Sequence, residues 1–298
     1  MNHNAASVSA RLYTQTDLTY SDAVIPLEDN FNDILGKAQR GLKLTDDQLA
    51  QRAGISPEDV RQARAGRFDE RVARKLAPVL GLGADALVDI GNKAWQPAAH
   101  TLTGLASFNT PFDDMTVNAY LVWDPKTRDA AAFDTGSDCD GIVEFAKRNN
   151  LAVNFVFLTH THTDHIYDLA RLKKATKAKA LVSKLETVDD AETFDVGKSF
   201  KIGNLQVETR LTSGHSRGGT TYVVTGLEKP VAVVGDSLFA GSMGGGMVSY
   251  EDALRNNREK ILSLPDDTVI CPGHGPLTTV GEEKSHNPFF PEFSKPRH

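Results

Sequence analysis

The sequence predicts an α/β protein, an αββα sandwich preceded by a small all-α helical segment, on three observations. Short apolar runs with strand character fall into two groups between residues 100 and 271, with helical stretches outside both groups. Residues 31–90 carry helical spacing and helix-capping residues instead. The run Phe155-Val156-Phe157-Leu158 leads directly into Thr159-His160-Thr161-His162-Thr163-Asp164-His165, which crowds three imidazoles and a carboxylate onto one strand end.

The chain of 298 residues is 40% hydrophobic and 24% charged, ordinary globular composition with more length than one compact domain needs. The expected division is an N-terminal arm over 1–30, a helical domain over 31–92 and a larger domain over 96–298. A net charge of -6 removes any general attraction to nucleic acid or an anionic membrane. Cys139 and Cys271 lie far apart without a paired motif, so no disulfide framework is indicated and a cytoplasmic location is expected. The first thirty residues lack a basic start followed by an apolar core, and no run is long enough to span a bilayer, so no membrane role is expected.

In chain order, residues 1–30 mix polar and apolar types without a period and read as a loosely docked arm, with His3 an exposed residue. Thr45 and Ser56 are N-caps, Gln48 is the capping-box partner of Thr45, and Pro57 takes a first helical position, so two short helices follow each other across Gly54. Later helices are expected from 72–82, and 91–99 reads as a linker marked by Trp95 and Pro97. Strands are expected at 100–108 and 116–123 around a turn at 109–114, then at 130–133, ending in Asp134-Thr135-Gly136. A helix at 142–148, the strand at 155–158 and a helix at 166–177 come next. Strands at 180–182, 199–202, 205–209, 221–224 and 231–234 precede a helix at 250–264 and a last strand at 268–271. The glycine-rich stretch 241–246 lacks phosphate-loop spacing and a Lys-Ser/Thr ending, so it reads as a flexible rim.

On an extended backbone His160 and His162 point the same way, and Asp164 and His165 fall on the turn into the next helix. Imidazole nitrogens and a carboxylate suit zinc, and equally iron or manganese. His215 follows in Thr212-Ser213-Gly214-His215. Asp236 and His274 then end the apolar runs Val233-Val234-Gly235 and Cys271-Pro272-Gly273, where a strand delivers a ligand to a sheet edge.

His-x-His-x-Asp-His followed by a lone His, a lone Asp and a final His resembles the signature of the metallo-β-lactamase superfamily. Within it the chain looks like the glyoxalase II-like group, with its persulfide dioxygenase relatives, through Gly235-Asp236-Ser237-Leu238-Phe239, Gly273-His274-Gly275-Pro276 and Asn287-Pro288-Phe289. The resemblance implies one metal site from His160, His162 and His215 and a second from Asp164, His165 and His274, with Asp236 bridging. It implies two divalent metal ions, zinc first, with iron or manganese as alternatives. Asp134 matches a position that braces the ligands from behind, and Asp164 one that orients the attacking hydroxide. The implied activity is hydrolysis of a small thioester, ester or lactone by a metal-bound hydroxide. The alternative is a one-iron persulfide dioxygenase with its metal at His160, His215 and Asp236. Two departures bear on substrate. The residues after His274 are too few for the C-terminal helical domain of glyoxalase II, and the usual His-Thr-Pro-Gly is replaced by His215-Ser216-Arg217-Gly218, which places Arg217 to meet an anionic substrate. Cys271, at an apolar strand end, is expected to be packed and not reactive.

Residues 48–56 resemble the helix-turn-helix of phage-repressor-like families. In such a motif the start of the second helix enters the major groove, and here it presents Pro57, Glu58 and Asp59, whose carboxylates repel phosphate. The segment is therefore expected to serve packing or homo-oligomerisation, as the similar helical domain of cyanase does, without specific nucleic-acid binding. Regulation of DNA binding by the metal domain is a second alternative, carried by Arg61, Arg64, Arg67, Arg71 and Arg74.

Overall fold

The structure, a computed structural model, describes residues 25–294. The arm expected over 1–30 lies outside the described residues up to residue 24, and His3 with it. Five helices come first: α1 (Phe31–Gly41), α2 (Asp46–Ala53), α3 (Pro57–Arg64), α4 (Glu70–Val79) and α5 (Ala84–Gly91). The capping readings hold: Thr45 Oγ1 accepts the Gln48 amide at 3.2 Å while Gln48 Oε1 accepts the Thr45 amide at 3.0 Å, and Ser56 Oγ accepts the Asp59 amide at 3.1 Å.

Two six-stranded sheets follow. The first runs in sequence order through β1 (Leu105–Phe112), β2 (Met115–Trp123), β3 (Asp129–Phe133), β4 (Ala152–Phe157), β5 (Lys179–Ser183) and β6 (Glu192–Phe194). Its parallel steps from β3 to β4 and from β4 to β5 are bridged by α6 (Asp140–Arg148), and by α7 (Thr163–Ile166) with α8 (Leu169–Thr176). The second sheet contains β7 (Ser199–Ile202), β8 (Leu205–Leu211), β9 (Thr220–Thr225), β10 (Val231–Gly235), β11 (Val269–Pro272) and β12 (Thr278–Thr279), with β10 and β11 parallel. Alternation along β2 sends Tyr120 and Val122 to the inner core with Phe133, Phe157, Val207 and Tyr222. It sends Ala119, Leu121 and Trp123 outward, under Ile142 of α6 and Leu172 of α8. The αββα sandwich is thus the observed architecture.

The outer layer on the second sheet is built largely by the N-terminal helices. Phe31, Ile34, Leu35 and Ala38 recur at helical spacing along α1, and they share one buried cluster with Leu76, Leu87, Val223, Val234, Ile270 and Phe289. α9 (Tyr250–Asn256) and α10 (Val280–His286) complete this layer.

Several boundaries differ from expectation. The turn expected over 109–114 shrinks because β1 continues to Phe112; Pro111 is tolerated there because β1 is an edge strand, and Asn109 Nδ2 donates to Asn118 Oδ1 at 2.8 Å. The helix expected over 166–177 starts earlier and breaks after Ile166, where Asp168 turns its carboxylate to the Cys139 amide at 2.8 Å. The helix expected over 250–264 passes into a π-helical turn at Asn257–Ile261. β6 was not anticipated, since three residues carry no readable period, and β12 follows the strand expected to be last. Among the described residues no helix is long and apolar enough to cross a membrane.

Candidate metal centre

The histidine-rich stretch leaves β4 and enters the single turn α7, with His162 at its N-cap, so Asp164 and His165 occupy a helical turn and not a loop. His162 Nδ1 lies 3.0 Å from both His160 Nε2 and His215 Nε2. One donor atom from each of His160, His162, His215 and Asp236 lies within 4.8 Å of the others, and the same holds for Asp164, His165 and His274. Asp236 stands between the two groups. Its Oδ2 is 3.3 Å from His215 Nε2, its Oδ1 is 3.2 Å from His165 Nε2, and His274 Nε2 is 3.2 Å from Asp164 Oδ2. All seven side chains picked out in the sequence are brought together.

Three of the rings are aimed by their second nitrogen. His274 Nδ1 donates to the Thr116 carbonyl at 2.7 Å and His215 Nδ1 to the Gly245 carbonyl at 3.1 Å, which leaves Nε2 of each facing the centre. Asp134 accepts from His165 Nδ1 at 2.8 Å, and from the Thr159 amide and hydroxyl at 2.7 Å each. The loop that carries His274 is pinned by Asn118, whose Nδ2 donates to the carbonyls of Pro272 and Gly275, and by the Tyr120 hydroxyl at 2.6 Å from Pro272 O. Two glycines admit the approach. Gly235, at φ +51°, follows a register shift between β10 and β11, and a Cβ there would stand 2.5 Å from Thr159 Oγ1. A Cβ on Gly273 would stand 2.1 Å from Asp236 Oδ1.

These residues fit a cation. His165 Nε2 and Asp236 Oδ1 are buried and neither has a hydrogen-bond partner, a costly state unless a further group lies between them. The charges are arranged for one. Burial alone would raise Asp236, yet the positive charges of His165 and His274 hold it well below the usual carboxylate range. Burial would lower His165 and His274, but the surrounding carboxylates outweigh it and carry them to about 10 and about 11. His160 and His215 go the other way, burial pushing both down.

A prediction about metal uptake follows from the signs. At pH 7.5 His165 and His274, both raised, hold a proton that a ligating nitrogen must give up, so metal binding by the stripped protein is expected to release about two protons. Affinity should then rise with pH from 7 towards 10. Calorimetry in buffers of different ionisation enthalpy measures the release, and a value near zero would contradict this charge distribution.

Arg217 is exposed on the loop after His215. Cys271 is buried and its thiol is pushed up by burial, in keeping with a packing role. Sequence reading missed the aiming groups at Thr116, Gly245, Asn118 and Thr159; two of these act through carbonyls, which carry no residue-type signal. The Gly-rich rim is also more anchored than expected, since Gly241 through Gly244 are buried and the Gly241 amide donates to Glu283.

Histidines and aspartates gathered at one edge of a two-sheet sandwich define a metal-binding α/β protein of one known kind. Residues 112–274 match the family model of the metallo-beta-lactamase superfamily, and the chain belongs to that superfamily. Its members bind divalent metals, and this chain gathers two His/Asp groups that could hold a metal ion. Among its relatives is hydroxyacylglutathione hydrolase GloC of Haemophilus influenzae, 30% identical over 199 residues, covering 58% of this chain and 92% of that protein. The probable metallo-hydrolase YqgX of Bacillus subtilis is 30% identical over 211 residues, covering 62% and 97%. The crystal structure of BLEG-1 B3 metallo-beta-lactamase superposes with a TM-score of 0.54 at 28% identity, covering 62% of this chain and 99% of that one.

Proposed function

We propose that this protein hydrolyses a small thioester, ester or lactone, with one divalent cation held by His160, His162 and His215, a second by Asp164, His165 and His274, and Asp236 shared between them. The observation that carries the reading is that Asp236 reaches both groups, with Oδ2 3.3 Å from His215 Nε2 and 3.5 Å from His274 Nε2 and Oδ1 3.2 Å from His165 Nε2. Two divalent cations bound there, zinc in this reading, supply Lewis-acid polarisation of a carbonyl and lower the pKa of a water molecule.

The chain's own residues do the rest. Asp164 has 13% of its side chain exposed against 8% for Asp236, so it is the carboxylate an incoming water meets. Burial favours its protonated form, but the His274 hydrogen bond and the His165 charge keep it ionised. It therefore orients that water and accepts its proton. Asp134 acts through His165, holding the ring in place. Tyr167, Leu185, Met247 and Val248 are exposed on the segments that follow α7, β5 and Gly245, and in this reading they meet a partly apolar acyl group. Arg217 is assigned to a second anionic group where the substrate carries one.

Residues 31–92 serve as a packing layer in this reading, and not as a reader of DNA. Their apolar faces are committed to the second sheet, and Glu58, at the start of α3, pairs with Arg61 at 2.8 Å.

The relation to a hydroxyacylglutathione hydrolase makes S-lactoylglutathione the first substrate to try. Zinc- and iron-loaded protein should be compared for thiol release from S-lactoylglutathione, ring opening of simple lactones, and oxygen uptake with glutathione persulfide. Hydrolysis by the zinc form is expected. Oxygen uptake by the iron form with no hydrolysis by either form would overturn the reading.

A further inference from the structure

A cavity of about 200 Å³ lies on the seam between α1 and the glycine loop beside the metal centre, lined by Lys37, Arg40, Gly41, Gly245, Gly246 and Met247. Lys37, Arg40 and Gly41 stand three and four residues apart, on one face of α1. The opposite wall includes Gly245, whose carbonyl accepts from His215 Nδ1. A single loop residue thus separates the cavity from an imidazole of the centre.

The cations of this seam are not equivalent. Lys37 is tied down: it pairs with the buried Asp29, donates to the Met243 carbonyl at 2.9 Å, and lies 5.0 Å from the centre of the Phe239 ring. Arg40 is exposed and forms no ion pair with any described residue. Its Nη1 lies 3.1 Å from the point where a Cβ on Gly36 would sit, and Arg64 Nη2 lies 3.3 Å from that same point. Arg64 also has no carboxylate partner among the described residues, its guanidinium donating to Gln39 Oε1. Two guanidinium groups therefore end side by side over a residue without a side chain, and one of the two residues, Arg40, lines the cavity. Their mutual repulsion is relieved when an anion engages them, and the planar fork of arginine matches a carboxylate or phosphate.

We propose that this cavity is the subsite for the anionic end, a carboxylate or phosphate, of the substrate, with Arg40 as its anchor and Arg64 reinforcing the field. The cavity is smaller than the several hundred Å³ that enclose a whole ligand, so it holds only one end of a molecule. The remainder crosses Gly245 towards the metal centre, where the bond to be cleaved lies. The N-terminal helices thereby enter the specificity of a site whose ligands all lie in the sandwich. The assignment of this ligand as substrate rests on the proposed hydrolase activity; the anion site itself does not.

The test has two arms. Metal-loaded protein is titrated calorimetrically with succinate, inorganic phosphate and dimethyl succinate, in the wild type, Arg40→Ala and Arg40→Lys, with metal content and unfolding temperature checked for each. Succinate or phosphate should bind the wild type, the tighter of the two naming the substituent, and Arg40→Ala should weaken that binding about tenfold or more, with partial recovery in Arg40→Lys and no binding of the neutral diester. The second arm compares S-succinyl- and S-butyryl-N-acetylcysteamine as thioester substrates. Arg40→Ala should raise KM for the anionic thioester about tenfold with little change in kcat, and leave the neutral one unaffected. Failure of both anions to bind, or binding that Arg40→Ala does not alter, overturns the proposal. The titration needs no turnover, so an absence of hydrolysis in every form would remove the hydrolase reading while the anion site stands or falls on its own arm.

Discussion

Replacing Asp236 by alanine is expected to reduce bound metal to less than one equivalent per chain and to lower hydrolysis by about 10³-fold or more, while the sandwich stays folded. Among the described residues Asp236 is the carboxylate that approaches both donor groups, through Oδ1 to His165 and Oδ2 to His215. Its removal leaves the five imidazoles and only Asp164 to offset the charge of a cation pair. The fold survives because Asp236 lies just past the end of β10, and Val231 and Val233 continue to pack in the inner core. Metal analysis after dialysis, read beside circular dichroism and the unfolding temperature, checks both halves. A variant that keeps two equivalents of metal would remove Asp236 from its shared position.

The second large effect is expected at Asp134. This residue is 2% exposed and sits at φ +56°, a left-handed conformation that Asp and Asn adopt more readily than other residues with a side chain. Its carboxylate satisfies the Thr159 amide, the Thr159 hydroxyl and His165 Nδ1. Alanine leaves these buried donors unpaired, at about 1–3 kcal/mol each before relaxation, so Asp134→Ala should lose about 3 kcal/mol of stability or more. Asp134→Asn keeps the backbone preference and an acceptor but loses the charge that holds His165, and metal affinity should fall about 10–100-fold. Denaturant unfolding of the first variant and competitive chelation of the second measure these outcomes. Wild-type metal affinity in Asp134→Asn would show that His165 needs no brace.

The resemblance carried by the histidine cluster pointed to Asp134, but its reach to Thr159 and His165 together comes from the left-handed turn after β3, which local sequence shows only as Asp-Thr-Gly. Boundaries were least legible where tertiary contacts compete with periodicity. The apolar spacing over 166–177 reads as one helix, and it breaks because Asp168 is drawn to the Cys139 amide. In the same way Asn109 and Asn118 bond across β1 and β2, extending strand through a Pro-containing stretch that reads as a turn.

The sequence by itself determined the fold class, the capped helices around Gly54, and the histidines and aspartates that the structure gathers at one edge. Those features are local: donor chemistry belongs to residue type, and a strand end or a capped helix is written in neighbouring residues. Only the tertiary structure decided that Asp236 reaches both donor groups, that the Thr116 and Gly245 carbonyls aim His274 and His215, and that α1 lies on the second sheet with Arg40 on the cavity that Gly245 also lines. Each depends on groups far apart in the chain, and backbone carbonyls, which every residue carries, leave no mark in the order of side chains that would reveal the pairing.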